Sequence, residues 1–167
     1  MGKVCAFLGN DYDTVCGRKY PHSTPPNLKE KIKKQIINLI ENENVTEFWV
    51  GEIGGYEQDA YDTVLKVKQT YPDIRIIFVI SKVTDLHEIN MSDKSGFIPQ
   101  RRAFDDYIFP PACELGYKRM CIVYRNRYIT ENADFIIAYN ERQGKAYEFC
   151  KRALAKGCIL IELSSNE

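Results

Sequence analysis

Short apolar runs alternate with longer amphipathic stretches along the chain. Val4-Cys5-Ala6-Phe7-Leu8 is apolar and stops at Gly9-Asn10-Asp11, which predicts a strand and a turn. Residues 11–26 are polar and contain Pro21, Pro25 and Pro26, which predicts a loop that is long for a compact domain. Asn27 is placed to cap a helix running to about Glu43, with Leu28, Ile32, Ile36, Ile37 and Ile40 on one face. Residues 46–50 read as a buried strand that leads into a glycine-rich turn, Gly51-Glu52-Ile53-Gly54-Gly55. A helix is expected over 60–70, burying Ala60, Val64, Leu65 and Val67, with Tyr71-Pro72-Asp73 stopping it. Ile74-Arg75-Ile76-Ile77-Phe78-Val79-Ile80 is β-branched and apolar throughout, so it reads as a central strand covered on both faces.

The second half continues the alternation after a polar, irregular stretch over 81–102. Residues 104–111 suggest a short extended piece, and a helix is expected over 118–131. Phe135-Ile136-Ile137-Ala138-Tyr139 is a fourth strand. A loop through Gly144, a helix over 145–155 that ends at Lys156-Gly157, and a strand over 159–163 complete the pattern. Strands that alternate with helices give a parallel sheet with right-handed crossovers and helices on both faces. The fold expected is therefore α/β: one Rossmann-like three-layer domain over 1–167, with a mainly parallel sheet of about five strands. In such sheets ligands bind outside the carboxyl ends of the strands. The loops after residues 8, 50, 80 and 139 are thus the places for a site.

Composition narrows the classes. A length of 167 residues, 44% apolar and 28% charged, suits a single globular domain with its own core. Lys plus Arg and Asp plus Glu are 23 each, so there is no basic excess of the kind that non-specific nucleic-acid binding needs. Cys5, Cys16, Cys113, Cys121, Cys150 and Cys158 show no CxxC spacing, and His22 and His87 are the only histidines. No metal site or cofactor is expected, and the cysteines read as small buried hydrophobes. Met1-Gly2-Lys3 runs straight into a strand, so no signal peptide is expected. No apolar run nears the roughly 20 residues of a membrane span, and a reducing cytoplasm fits best.

The loops carry residues suited to a nucleotide. Gly51, Gly54 and Gly55 lie between a strand and a helix, where backbone amides and a helix N-terminus can cradle phosphate; equally, they can serve a tight turn. Gly9, Asn10 and Asp11 can bond a base or ribose, or form a plain turn. Asp59, expected in the first turn of its helix, can cap that helix or hold a ribose hydroxyl. Gly144 and Lys145 open a second helix and offer a second anion site, unless Lys145 is simply solvated. Arg18, Arg125 and Arg127 are either phosphate clamps or surface charges. Arg125 and Arg127 are two apart and cannot share a helical face; one can take a phosphate and the other a carboxylate such as Asp134. Glu148, one turn into the later helix, is either a surface carboxylate or a group poised to attack an anomeric carbon. Walker A, GxGxxG, GxSxG and HExxH motifs do not occur.

With these motifs the chain resembles the SLOG superfamily, the Rossmann-like group that joins the Smf/DprA and LOG proteins, in its small bacterial and phage members. The likeness runs through the 4–9 strand and its turn, Gly51-x-x-Gly54-Gly55 with Asp59-Ala60, and Tyr71-Pro72. It continues through Arg125-x-Arg127-Tyr128, Ala133-Asp134-Phe135-Ile136-Ile137-Ala138, and the Gly144 turn before a helix ending in Ala155-Lys156-Gly157. Gly9-Asn10-Asp11 stands where relatives carry Gly-His-Arg, and Gln143-Gly144-Lys145 where they carry Gly-Gly-Thr. The Pro-Gly-Gly-x-Gly-Thr-x-x-Glu signature of LOG phosphoribohydrolases is absent. The resemblance implies a nucleotide-derived ligand, an ADP-ribose-type signal among the options, that is sensed or sequestered without catalysis, and a homo-oligomer as its usual assembly. The last third is also similar to nucleoside deoxyribosyltransferases, which carry a nucleophilic glutamate in a Gly-Thr-Ala-x-Glu segment. That likeness implies the alternative of an N-glycosidic bond enzyme using Glu148.

Overall fold

A computed structural model of the chain describes residues 2–10, 25–51, 54–81, 103–115 and 120–163. The elements in chain order are β1 (Lys3–Gly9), α1 (Leu28–Glu43), β2 (Val45–Val50), α2 (Gly54–Thr70), β3 (Arg75–Val79), β4 (Asp106–Ile108), α3 (Pro111–Leu115), α4 (Cys121–Asn132), β5 (Phe135–Tyr139), α5 (Gly144–Ala155) and β6 (Ile159–Glu162). All strand pairings are parallel, in one six-stranded sheet of order β4-β3-β2-β1-β5-β6. The α/β expectation holds, with one strand more than the five expected. The extra strand is β4, the short extended piece of 104–111, which pairs Tyr107 with Phe78 at the sheet edge.

Side-chain alternation along each strand divides the core in two. Cys5 and Phe7 of β1, Phe48 and Val50 of β2, and Ile76 and Phe78 of β3 face α1 and α2, where Ile32, Ile36, Ala60 and Val64 meet them. Ala6, Leu8, Trp49, Ile77, Val79, Ile136 and Ala138 face α4 and α5, against Ile129, Phe149, Cys150 and Ala153. Successive residues of a strand point to opposite faces, so a fully apolar run such as Phe135–Tyr139 must be covered twice. On the second face Trp49 stacks on Tyr128 of α4 with ring centroids 5.7 Å apart, and its indole N–H donates to Glu47.

Two local expectations need correction. The second helix starts at Gly54, not near residue 60, so Gly54 and Gly55 are its first turn and Asp59 lies in its second. Gly54, the first residue of α2, takes a left-handed φ of +79°, which glycine adopts without steric cost. Asn27 holds the N-cap position of α1, but it is left-handed and its side chain makes no cap bond. The helix expected over 118–131 is described over 121–132, and the five-residue α3 before it had no periodicity to announce it. The loops expected over 11–26 and 81–102 lie, except for Pro25, Pro26 and Ser81, outside the described residues.

Candidate functional site

The chain winds outward from β1 through β2 and β3 to β4, then crosses to β5 on the other side of β1. The switch point, and with it the crevice that open α/β sheets use for ligands, lies between the carboxyl ends of β1 and β5. Asn10 and the 140–144 loop follow directly on these two strands.

Asn10 is the hub of this end. Its side-chain amide donates to the carbonyls of Gln143 and Asn140, and its Oδ1 accepts from the Ala146 amide at 3.3 Å. That last bond satisfies a donor in the first turn of α5, where Gln143, the N-cap by position, makes no side-chain bond. Asn10 thus caps a helix from across the sheet. Gly144, with φ +79°, is where it is because a Cβ there would come within 2.9 Å of the Asn10 amide nitrogen. Gly9 answers to another neighbour: a Cβ there would sit 2.2 Å from the Tyr56 ring. Tyr56 stacks on Tyr139 and donates its hydroxyl to the Ile137 carbonyl at 2.8 Å.

The 140–144 loop is held under strain. Glu141 and Arg142 both take left-handed φ, +49° and +59°, and only the extended Gln143 separates them from the left-handed Gly144. Such conformations cost a non-glycine residue about 1–2 kcal/mol each and persist only where neighbours enforce them. The enforcer is Asn140, 2% exposed: its Oδ1 accepts from the Arg142 amide at 2.8 Å, its carbonyl accepts from the Gln143 amide, and its Nδ2 donates to the Cys150 sulfur. Asn140 was not singled out in the sequence; an Asn directly after an all-apolar strand was the available signal.

A second polar centre lies over the end of β2. Arg125 of α4 is 2% exposed. Its Nη2 donates to Glu57 of α2 at 2.5 Å, Nε to the Val79 carbonyl at 2.9 Å, and Nη1 to Asn126 at 2.8 Å. Its carboxylate partner is therefore Glu57, not Asp134, which instead accepts from the Val4 amide at the other end of the sheet. The pair joins the helical layers of the two faces, and it passes over Gly51. A Cβ on Gly51 would lie 1.9 Å from Arg125 Nη2. The absence of a side chain at Gly51 is thus explained by the guanidinium.

The remaining candidates are scattered. Asp59 is 7% exposed and ion-paired with Lys29 of α1 at 3.3 Å. Arg127 is exposed, borders a groove of about 160 Å³ with Pro110, Pro111, Tyr124 and Tyr128, and so shares no face with Arg125. Lys145 is exposed at the start of α5. Glu148 stands on the outer face of α5, opposite Ala146, Phe149 and Cys150, with 64% of its side chain exposed and Lys151 at 2.9 Å. Asp11 and Arg18 lie outside the described residues. A cavity of about 300 Å³ lined by Lys3, Asp134 and Lys156 sits at the amino ends of the strands, away from the switch point. Among the described residues there is no group of three His, Cys, Asp or Glu side chains that could hold a metal ion, and no helix is long and apolar enough to cross a membrane. No protein-family model matches the chain, and no curated protein matches it.

Proposed function

We propose that the protein binds a nucleotide or nucleotide-derived ligand, of the ADP-ribose type, over the carboxyl ends of its strands, and senses or sequesters it without turnover. The observation that carries this reading is the strained 140–144 loop at the switch point. Two adjacent non-glycine residues held left-handed there are a standing cost, and strain of this kind gathers where a ligand is held. The first turns of α2 and α5 open at the same end of the sheet through Gly54-Gly55 and Gly144-Lys145, and helix N-termini favour phosphate. Asn10, its side chain engaged with Asn140, Gln143 and Ala146, fixes the start of α5 beside the switch point, and Lys145 supplies an exposed positive charge. The likeness to SLOG proteins agrees with this reading, and the same proposal places the protein in the cytoplasm as a homo-oligomer. Glu148, turned outward and paired with Lys151, lends no support to glycosidic-bond chemistry.

The test is a panel of nucleoside mono- and diphosphates, NAD, ADP-ribose and cyclic ADP-ribose isomers, followed by thermal shift and by chromatography of the ligand. A bound ligand raises the melting temperature in proportion to the logarithm of its concentration over Kd. The expected result is a raised Tm with the ligand recovered intact, and weaker binding by Lys145→Glu. Release of a free base or ribose phosphate overturns the non-catalytic reading. No shift with any member of the panel overturns the ligand class.

A further inference from the structure

Two cysteines remote in role from the crevice face each other. Cys113 is the one buried side chain of α3, and Cys121 is the first residue of α4. The Cys113 sulfur lies 3.4 Å from the Cys121 carbonyl oxygen, and the Cys121 sulfur lies 3.9 Å from the Cys113 carbonyl oxygen. Each sulfur therefore rests on the other residue's backbone. Burial pushes the Cys113 thiol up to about 11, the nearby Cys121 thiol adds to the rise, and the Arg125 guanidinium opposes it, so all three groups are neighbours. Cys5 and Cys150 each lie near enough to Cys158 to feel its thiol, but the sulfurs of these three bond elsewhere. Cys5 and Cys158 bond the carbonyls of their own next residues, Ala6 and Ile159, and Cys150 accepts from Asn140.

We infer that Cys113 and Cys121 form a redox-active dithiol, which a small diffusible disulfide oxidises to an intramolecular bond clasping α3 to α4. Once α3 opens and water reaches it, the Cys113 thiol ionises, and its thiolate attacks one sulfur of the small disulfide, giving a mixed disulfide and one released thiolate. The Cys121 thiolate then attacks the Cys113 sulfur and releases the second. Two protein thiols are oxidised, and one small disulfide is reduced to two thiols. Access comes through α3, a five-residue helix whose Pro111, Ala112, Glu114 and Leu115 are all exposed, so it opens at low cost. Arg125 lies one turn after Cys121 on the same buried face, so the clasp would fix the end of α4 that carries the Glu57 pair.

The sequence makes the test direct. Lys118 and Arg119 lie between the two cysteines, so trypsin puts Cys113 and Cys121 in separate peptides. The reduced full chain is incubated with oxidised glutathione under native conditions, alkylated, digested and mapped by mass spectrometry. The expected product joins the Cys113 peptide to the Cys121 peptide. The oxidised protein melts roughly 5–10 °C higher, the gain that closing a short loop gives a chain of this size. Cys121→Ser should stop at glutathione on Cys113. A glutathione adduct that persists in the unsubstituted protein, a link to any other cysteine, oxidation only after denaturation, or a lower Tm each overturn the proposal.

Discussion

The Arg125–Glu57 pair is the most consequential contact of single residues in the molecule. Both side chains are almost wholly out of water, 2% and 4% exposed. Removing one partner of such a pair leaves a buried charge uncompensated, at a cost of about 3–5 kcal/mol. Urea unfolding of Arg125→Met and of Glu57→Gln should each show a loss of that order. The double variant should lose clearly less than their sum, since the two mutations share one interaction. Gly51→Ala should cost about 1–3 kcal/mol by displacing the guanidinium, and the loss should shrink in an Arg125→Met background. An equal cost in both backgrounds would mean that Gly51 answers to some other neighbour. The sequence placed Arg125 and Gly51 among the site residues but could not pair them with Glu57. A contact between residues 68 apart that links opposite faces of the sheet leaves no periodic trace.

Elements here are fixed to one another by a few polar stitches as well as by apolar packing. Asn10 ties β1 to the start of α5, and Asn10→Ala should cost about 1–2 kcal/mol, the range for losing a helix cap. Asn10→Asp keeps the acceptor for the Ala146 amide but loses the donor to Gln143, and should fall between the two in chemical denaturation. Asp105 does the same for the edge strand β4: its carboxylate accepts from the Ile76 amide at 2.8 Å and from Lys68 at 3.0 Å. Burial pushes that carboxyl up, but the Ile76 amide, Lys68 and Arg75 outweigh it and hold it below its usual value. A lowered folded pKa stabilises above the unfolded value of about 4, and the gain disappears as pH falls through the folded one. Asp105→Asn should therefore be less stable at neutral pH and lose less on acidification below pH 4. An unchanged acid limb would show that Asp105 does not contribute. Elements with a full apolar run, such as Phe135–Tyr139, were legible to the residue because burial on two faces requires an unbroken pattern. The start of α2 was not, because Gly54 and Gly55 are poor helix formers that only the tertiary setting keeps helical.

At the scale of the molecule, one sheet serves as the common wall of both hydrophobic clusters, so neither helical layer has a core of its own. Unfolding should accordingly be a single transition, with the same urea midpoint by circular dichroism and by fluorescence; separate midpoints would show that the two faces melt independently. The overall architecture followed from the order of strands and helices. The direction in which the chain winds, and hence the crevice between β1 and β5, did not, because strand order is a property of pairing and not of any one segment. The molecule also carries its own lamp. Trp49 is the single tryptophan of the chain, and its stack on Tyr128 puts it against the helix that bears Arg125. A shift in how α4 sits, whether from a ligand in the crevice or a clasp at Cys121, would change the emission of that one indole, so the event can be timed in solution without a label.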